Sequence, residues 1–467
     1  MNEPMRPLLL TICLFAWSGI VYTQTDNTRL ENFHNPPLHY HMNPNVHGFP
    51  LEEEKQIALL DNLLLSGYGG LTTNVNWTED YLKNDRQLAS FYQFVRLARQ
   101  RNMEVWLYDE FLYPSGMAGN DILAEHPDWE AEGLLFRESE VEGGSQLKTE
   151  LLPGHVLVVQ AIPLDNNLLQ REQRRDLRQQ VKDGILEWDV PAGKWKIVMI
   201  STGALYHGFQ AGTDRGGHVP RYTSLLMPEV TTQFIDLTHR KYADFLGDKL
   251  GSLFYSTFTD EPSAMAMPYP NLGYGVYPWK NNVSDEFLKR YGYTLEEQLL
   301  PMMLDEGQAG QKARVQYFSI IADFMANHYF KPIKEFCRRQ DFKSGGHLLL
   351  EESLMAHVPL YGNIMACYRE MDIPGIDFAG MNKNSKSAKK RHCSNIMDKK
   401  CRNMFFTNYL QTNLLLFLFH TEKAAVLAWP HYLCAPVPLC ENPIHHFHDT
   451  VSKFPKNLQT ICISGII

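Results

Sequence analysis

Cysteine is scarce through most of this 467-residue chain. Of its eight cysteines, Cys13 lies near the start, only Cys337 and Cys367 fall in the main body, and the other five crowd into the last 87 residues. No two of them have the spacing of zinc ligands, which argues against a metal cluster. The spacing does not assign any disulfide bond.

Positive charge is also in deficit, with 44 Lys and Arg against 53 Asp and Glu and a net charge of -9. This balance gives no support to a nucleic-acid partner. The sequence has no glycine-rich phosphate loop, no nucleophile elbow and no HExxH motif. It therefore gives no sign of nucleotide-binding, serine-hydrolase or zinc-protease chemistry.

Long apolar runs are missing as well. The run Leu8 to Trp17 follows Arg6 and is too short to span a membrane comfortably. Small or polar residues then lead to a cleavage point near Thr23 or Gln24. We predict a signal peptide over residues 1–24, a secreted or periplasmic protein, and no stable membrane insertion after signal cleavage. An uncleaved anchor is the alternative.

The chain does contain a short strand of buried type from Phe254 to Thr259, with aromatic and β-branched residues throughout. It ends in Asp260 and Glu261, and Pro262 then stops it. Parallel α/β sheets and barrels place their chemistry at the carboxyl ends of strands. The alternative is a helix start with Asp260 as its cap.

Similar strands alternate with helices on both sides of this one. Before it, strands are predicted at Leu38 to Met42, Leu71 to Val75 and Met103 to Glu110, with helices at about 52–65 and 85–102. After it, they are predicted at Gly345 to Ser353 and Gly375 to Ala379. This order predicts parallel strands with right-handed crossovers.

We therefore predict an α/β fold, a (β/α)8 TIM-type barrel that is incomplete at about six strands and carries a small antiparallel β insertion. Its first part is residues 25–140, the insertion is 141–225, and its second part is 226–380. Residues 381–467 hold 11 Lys and Arg against 4 Asp and Glu. We predict that this atypical basic tail has low order.

Three of the predicted strands end in paired carboxylates: Asp109 with Glu110, Asp260 with Glu261, and Glu351 with Glu352. In one barrel these ends converge at the same mouth. Glycoside hydrolysis needs one protonated carboxyl group and one carboxylate across the scissile bond. Further acids there bind sugar hydroxyls or a hard cation such as calcium. Helix caps and surface charge are the alternative explanation.

Five other residues are candidates for binding a sugar. His347 is predicted to contact a sugar hydroxyl or to orient Glu351, and His41 lies at the end of the predicted first strand. Trp279 and Tyr277 lie in a predicted aromatic, proline-rich loop, residues 263–282, and are candidate platforms for stacking on a sugar ring. Trp77, just beyond the second strand, is predicted either to line a pocket or simply to pack. Ordinary packing in the core or on the rim is the alternative for all five.

An ordered set of motifs resembles glycoside hydrolase family 106, the α-L-rhamnosidase-like enzymes. The motifs are NPP near Asn35, GYGG at 67–70, LYDEFLYPSGMAG at 107–119, the PAGKW turn, FTDEP at 258–262, YPW at 277–279, RYGY at 290–293, and GGHLLLEE followed by YGN and MDIPGID. The set covers about residues 31 to 379.

This resemblance implies a catalytic (β/α)8 barrel in a secreted or periplasmic enzyme that acts on oligo- or polysaccharides of plants. It implies hydrolysis with inversion by two glutamates, with calcium as a helper. By the resemblance Glu261 is the general acid and Glu351 or Glu352 the base. Asp109, Glu110 and Asp260 would bind substrate beside them.

The predicted function is hydrolysis of α-L-rhamnosidic bonds. Because about six strands precede Met381 and a closed barrel needs eight, we expect a truncated family member. A non-catalytic carbohydrate-binding protein, or an inactive fragment of such an enzyme, is one alternative. Another is a barrel hydrolase that acts on galactosides or uronic acids.

Overall fold

The computed structural model describes residues 31–78, 80–111, 113–205, 221–265, 273–304, 307–351 and 353–377. The predicted signal peptide at 1–24, the tail at 381–467 and Glu352 lie outside the described residues. Within those residues, no helix combines the length and the apolar character that a membrane crossing requires.

The strands, in chain order, are β1 Asn45–Val46, β2 Gly70–Thr73, β3 Glu104–Tyr108, β4 Glu132–Glu142, β5 Gln146–Glu150, β6 His155–Asp165, β7 Leu168–Leu169, β8 Arg175–Asp176, β9 Val181–Lys182, β10 Ile185–Asp189, β11 Lys194–Ala204, β12 Ser256–Asp260, β13 Gly275–Trp279, β14 Gly345–His347 and β15 Ile373–Pro374.

The α-helices are α1 Glu53–Leu65, α2 Asp85–Gln100, α3 Asp121–Glu125, α4 Pro228–Leu237, α5 His239–Leu246, α6 Asn281–Tyr291, α7 Leu299–Met303, α8 Gly307–Phe324, α9 Lys331–Arg339, α10 Leu354–Tyr361 and α11 Ile364–Arg369. A π-helical turn, Met325–Phe330, joins α8 to α9. Short 3-10 turns lie at Leu38–Tyr40, Pro127–Trp129, Arg171–Gln173, Arg178–Gln180, Leu250–Ser252 and Glu296–Gln298.

Six of these strands form one parallel sheet in the order β1-β2-β3-β12-β14-β15. Neighbours in the sheet follow one another along the chain once the antiparallel strands are set aside. Helices connect them, and α2 begins at a cap in which the Asn84 side chain accepts hydrogen bonds from the N–H groups of Arg86 and Gln87. All six strands therefore present their carboxyl ends at one edge of the sheet.

Two predicted strands are displaced in the structure, and a third is shortened. The segment Leu38–Tyr40 is a 3-10 turn, because Pro37 and local bonds bend the chain there, and the first strand is Asn45–Val46. The strand at Gly345 stops at His347, since Leu350 has a φ of +59° and turns the chain. The last strand lies at Ile373–Pro374, just before its predicted start at Gly375.

Glycine allows β14 to lie against β12. Gly346 has a φ of +140°, and a Cβ atom there would lie 2.1 Å from the carbonyl oxygen of Thr259. A larger residue would therefore push the strands apart. The close approach places His347 directly opposite Asp260 in the parallel register.

The antiparallel strands form two further sheets. One has the order β5-β10-β9 and the other the order β13-β4-β11-β6-β7, with β8 paired to β6. Their separate core includes Trp188 and Trp195, whose rings meet edge to face at 5.3 Å. Strand β4 begins at Glu132, before residue 141, where the sequence analysis places the start of the insertion.

The stretch predicted as a loop at 263–282 contributes β13 to the larger antiparallel sheet, where it pairs with β4. Its Tyr277 ring is buried and packs on Phe136 and Phe318, which explains why the aromatic residues stay ordered. The loop prediction was wrong for this part of the chain.

Candidate active site

The ends of β12 and β14 bring an acidic and a basic side chain together. His347 Nε2 lies 2.9 Å from Asp260 Oδ1, and His347 Nδ1 lies 3.5 Å from Glu351 Oε1. The ring is 13% exposed. Burial opposes its charged form, but its bonds to the two carboxylates outweigh burial and raise the pKa of His347 to about 11. His347 is therefore an imidazolium at neutral pH.

Glu261 follows β12 in a left-handed backbone conformation, with a φ of +51°. Such a conformation is costly for a residue with a side chain and is frequent at functional sites. Its N–H group donates to the carbonyl oxygen of His347 over 3.2 Å, and its carboxyl group shares a hydrogen bond with the Tyr113 hydroxyl. The surrounding chain thus holds Glu261 beside the imidazolium.

The pKa of Glu261 is raised to about 7. Burial is the main cause, and the negative charges of Asp260 and Glu351 add to it, whereas His347 and the Tyr113 hydroxyl lower it. A carboxyl group with such a pKa still holds its proton in part of the molecules at neutral pH. This is the property that a general acid needs.

Asp260 is fixed at both its backbone and its side chain. Its Oδ2 accepts a hydrogen bond of 2.7 Å from the Tyr108 hydroxyl at the end of β3. Its N–H group donates to Ser115 Oγ over 2.8 Å, and the Ser115 N–H group donates back to the Asp260 carbonyl oxygen over 2.8 Å. The loop after β3 therefore clamps the end of β12.

Glu351 reaches the site from the turn after β14, although the strand that was predicted to include it ends at His347. Its Oε1 accepts hydrogen bonds from the Leu348 N–H group at 2.5 Å and from the Tyr368 hydroxyl at 3.3 Å. The side chain is only 4% exposed. Glu351 is thus placed to hold His347.

Asp109 and Glu110 occupy the interior. Glu110 is 0% exposed and accepts hydrogen bonds from five backbone N–H groups, those of residues 111, 116, 117, 118 and 119. Burial raises its pKa to about 7, and the N–H groups oppose this by stabilising the carboxylate. Asp109 is 1% exposed, and its Oδ1 accepts from the Ser115 hydroxyl. Both side chains, predicted to bind substrate, contact protein groups.

Trp279 and His41 lie away from these strand ends. Trp279 is on β13, and its indole N–H group donates to Ser284 Oγ over 3.2 Å. The His41 ring nitrogens lie 2.9 Å from the carbonyl oxygens of Gly67 and Pro36. Because Gly67 precedes β2, His41 lies at the amino edge of the sheet, opposite Asp260. His41 lies there because the first strand begins at Asn45 and not at Leu38, where it was predicted to begin.

An aromatic group lies beside Asp260 instead. His47, after β1, stacks on Trp77 with ring centroids 4.3 Å apart and meets the Tyr108 ring edge-on at 4.5 Å. Tyr108 in turn stacks on Phe258 at 5.9 Å. The sequence singles out only Trp77 of this group, although Tyr108 directly precedes the Asp-Glu pair at the strand end.

A calcium ion, which the resemblance implies, does not fit the described residues at this edge. Glu261, His347 and Asp377 bring one potential ligand atom each to within 4.8 Å of one another. Calcium takes six to eight oxygen ligands, and one of these three groups is a nitrogen. The imidazolium also uses its N–H groups toward Asp260 and Glu351.

Comparison with known proteins gives one curated protein and one solved structure that are similar to this chain. A curated protein from Formosa agariphila that carries the provisional name beta-glucuronidase is 24% identical over 196 residues, which are 40% of this chain and 16% of that protein. A solved rhamnosidase from Novosphingobium sp. PP1Y is 12% identical, with a TM-score of 0.44, over 73% of this chain and 48% of that one. The chain spans less than half the length of either.

A family model gives the more extensive match. The model of glycoside hydrolase family 106, described as alpha-L-rhamnosidase, matches residues 158–403, which is more than half of the chain. The match includes Asp260, Glu261, His347 and Glu351. The chain belongs to glycoside hydrolase family 106.

Proposed function

We propose that this protein hydrolyses α-L-rhamnosidic bonds in plant-type glycans, with Glu261 as the general acid. The observation that carries the proposal is the raised pKa of Glu261, about 7, at the end of a parallel strand and within a cluster of further carboxylates. Glu261 would protonate the glycosidic oxygen as the bond to the leaving group breaks. The assignment of rhamnose as the sugar comes from the family to which the chain belongs.

The general base in this proposal comes from the adjacent pair Glu351 and Glu352. We favour Glu352 as the base, because the carboxylate of Glu351 already accepts hydrogen bonds from Leu348 and Tyr368 and faces His347. A base that activates a water molecule would give inversion at the anomeric carbon. Comparing Glu351→Gln with Glu352→Gln tests the choice: only the base variant should abolish turnover and be rescued by azide.

The charge of the cluster favours a neutral sugar over a uronic acid. Asp260, Glu261, Glu351 and Asp377 provide four acidic groups, and His347 is the cation that their described contacts include. The carboxylate of a uronic acid would meet like charge there. This argues against the glucuronide named for the Formosa relative and is compatible with a neutral sugar such as rhamnose.

We also propose that the sheet is part of a (β/α)8 barrel and that the protein is secreted or periplasmic. The sequential order of the parallel strands supports the barrel, because barrels place consecutive strands side by side. The short apolar run after Arg6 supports export. A change in mass that corresponds to cleavage near Thr23 would test the second point in an exporting host.

The experiment compares the full chain with Glu261→Gln on an aryl α-L-rhamnoside and an aryl β-D-glucuronide. We expect wild-type turnover of the rhamnoside alone, falling as pH rises through about 7, and a loss of roughly 100-fold or more in kcat in the variant. Preferred turnover of the glucuronide would overturn the sugar assignment. Equal rates for both proteins would overturn the role of Glu261.

The carbohydrate-binding alternative predicts a different result. A binding protein would show no turnover in either form, and both forms would bind rhamnose-containing oligosaccharides with similar affinity. Calorimetric titration of the two proteins with the same oligosaccharide would show this. Tight binding without hydrolysis by the wild-type chain would replace the enzymatic proposal.

A further inference from the structure

Two buried polar atoms face each other beneath the candidate active site. Asp109 Oδ2, after β3, lies 3.7 Å from Nε2 of His239, the first residue of α5. Both side chains are 0% exposed. Within the described residues, neither atom has a hydrogen bond of normal geometry, although the Thr259 hydroxyl lies close enough to Asp109 to lower the pKa of its carboxyl group. Two buried polar atoms without partners are costly unless they interact with each other.

The contacts of Thr238 place a hydrogen on Nδ1 of the His239 ring. The Thr238 hydroxyl has one hydrogen and donates it to the Phe234 carbonyl oxygen over 2.6 Å. It must therefore accept from His239 Nδ1, which lies 2.9 Å away. With a hydrogen on Nδ1, the neutral ring presents the lone pair of Nε2 to Asp109.

The distance between the two atoms is unfavourable for a bridging water. A water that bonded to both would need about 4.5 Å between them, given normal hydrogen-bond lengths. If Asp109 were ionised, a lone pair of Oδ2 would face the lone pair of Nε2, and the two would repel each other. A proton on Oδ2 removes this conflict and directs the O–H dipole at Nε2 across 3.7 Å, which is longer than a hydrogen bond.

Asp109 is linked to the active site through Ser115. The Ser115 hydroxyl donates to Asp109 Oδ1 over 2.7 Å, which leaves its oxygen free to accept the Asp260 N–H group at 2.8 Å. Glu261 is the next residue. The acceptor at Oδ1 therefore sets the orientation of the hydroxyl that holds the end of β12.

We propose that Asp109 is a positioning residue that carries a proton at Oδ2, directed at Nε2 of a neutral His239, and that this pair orients Ser115 and so the chain at Asp260 and Glu261. The surroundings of the two side chains agree with a protonated Asp109 and a neutral His239. Burial raises the pKa of Asp109, as do the neighbouring Glu110 and Asp260, while the Ser115 and Thr259 hydroxyls lower it. Burial lowers the pKa of His239 to about 3.

The protonation state can be measured without any assay of activity. Infrared spectra of the full chain at pH 7 should contain the carbonyl stretch of a buried carboxylic acid, and the Asp109→Asn variant should lack it. Nitrogen chemical shifts of His239 should report a neutral ring with hydrogen on Nδ1. Absence of the Asp109 band, or a doubly protonated His239, would overturn the proposal.

The positioning role is tested by kinetics and rests on the proposed rhamnosidase function. Asparagine can donate to His239 and accept from Ser115, so Asp109→Asn should keep kcat within about twofold, whereas Asp109→Ala should lower kcat about tenfold or more at unchanged KM. Equal losses in the two variants would overturn this role, as would a rise in KM alone.

Ser115→Ala provides a second variant if Asp109→Ala does not fold, and it should show the same selective loss of kcat. Full wild-type kcat in Ser115→Ala would contradict the link to Asp260. If the wild type hydrolyses no glycoside, the infrared result still decides the protonation, so failure of the proposed function is distinguishable from failure of this inference.

Discussion

Two neighbouring parallel strands, β3 and β12, end in the same dipeptide, Asp-Glu, and the structure gives the two pairs different surroundings. At the end of β3, Asp109 and Glu110 are closed off from solvent and contact only protein groups in the described structure. At the end of β12, Asp260 and Glu261 are partly exposed and contact an imidazolium. The first pair shapes the loop that holds the second.

The comparison also shows why a raised pKa alone does not identify a catalytic acid. Burial raises the pKa of both Glu110 and Glu261 to about 7. Backbone N–H groups oppose the rise at Glu110, and the charge of His347 opposes it at Glu261. Of these two residues, Glu261 alone combines the raised pKa with partial exposure, which the proposed transfer of a proton to a sugar requires.

The largest effect on stability is expected for Glu110→Gln. The amide would present hydrogens to backbone N–H groups that now donate to Glu110 Oε1 and Oε2. Leaving two or more donors unsatisfied should lower the free energy of unfolding by roughly 3 kcal/mol or more. Urea denaturation at pH 7 would measure it.

The matched control is Glu261→Gln at the other strand end. The Glu261 carboxyl group contacts the Tyr113 hydroxyl, and its described contacts include no backbone N–H donor that an amide would leave unsatisfied. Because burial also raises its pKa, the folded state favours the neutral form, and glutamine should leave stability unchanged or slightly higher at pH 7. Similar losses in the two variants would show that the two pairs do not differ in role.

A pH-dependent effect is expected at His347, where the change per pH unit is smaller than the loss in Glu110→Gln. Its pKa rises from 6.5 to about 11 on folding, so its stabilising contribution is complete below pH 6.5 and disappears as pH rises to about 11. The free energy of unfolding of the wild type should fall by roughly 1 kcal/mol per pH unit across this window relative to His347→Gln. Denaturation at pH 6 and at about pH 9 compares the two; parallel pH profiles would contradict the ionic bridge.

The parallel part of the fold follows from the sequence to a large extent. The buried strand at Thr257, the helix of residues 85–100 and the turn to antiparallel strands all match local patterns of apolar residues. The 3-10 turn at Leu38 does not, because an alternating pattern over five residues fits a strand as well as a turn. Strand β13 needs its partner β4, which is more than 130 residues away in the sequence.

The site was less predictable than the fold. The pairing of His347 with Asp260 follows from two strand ends, and the sequence contains that information. The burial of Glu110 does not follow from its strand, since it depends on the loop of residues 111–119 folding back over the carboxylate. His47 is absent from the predicted site because its strand was placed seven residues too early.

The smallest effect is expected at Trp77, which lies on the far side of Tyr108 from Asp260. His47 stacks on the indole, and the Tyr108 hydroxyl ties the same group to Asp260. If the indole supports the apolar face of a bound sugar, Trp77→Ala should raise KM about fivefold, or about 1 kcal/mol, with little change in kcat. Trp77→Phe keeps an aromatic face and should recover most of the affinity. A fall in kcat at constant KM in both variants would instead place Trp77 with Ser115, among the residues that position Asp260.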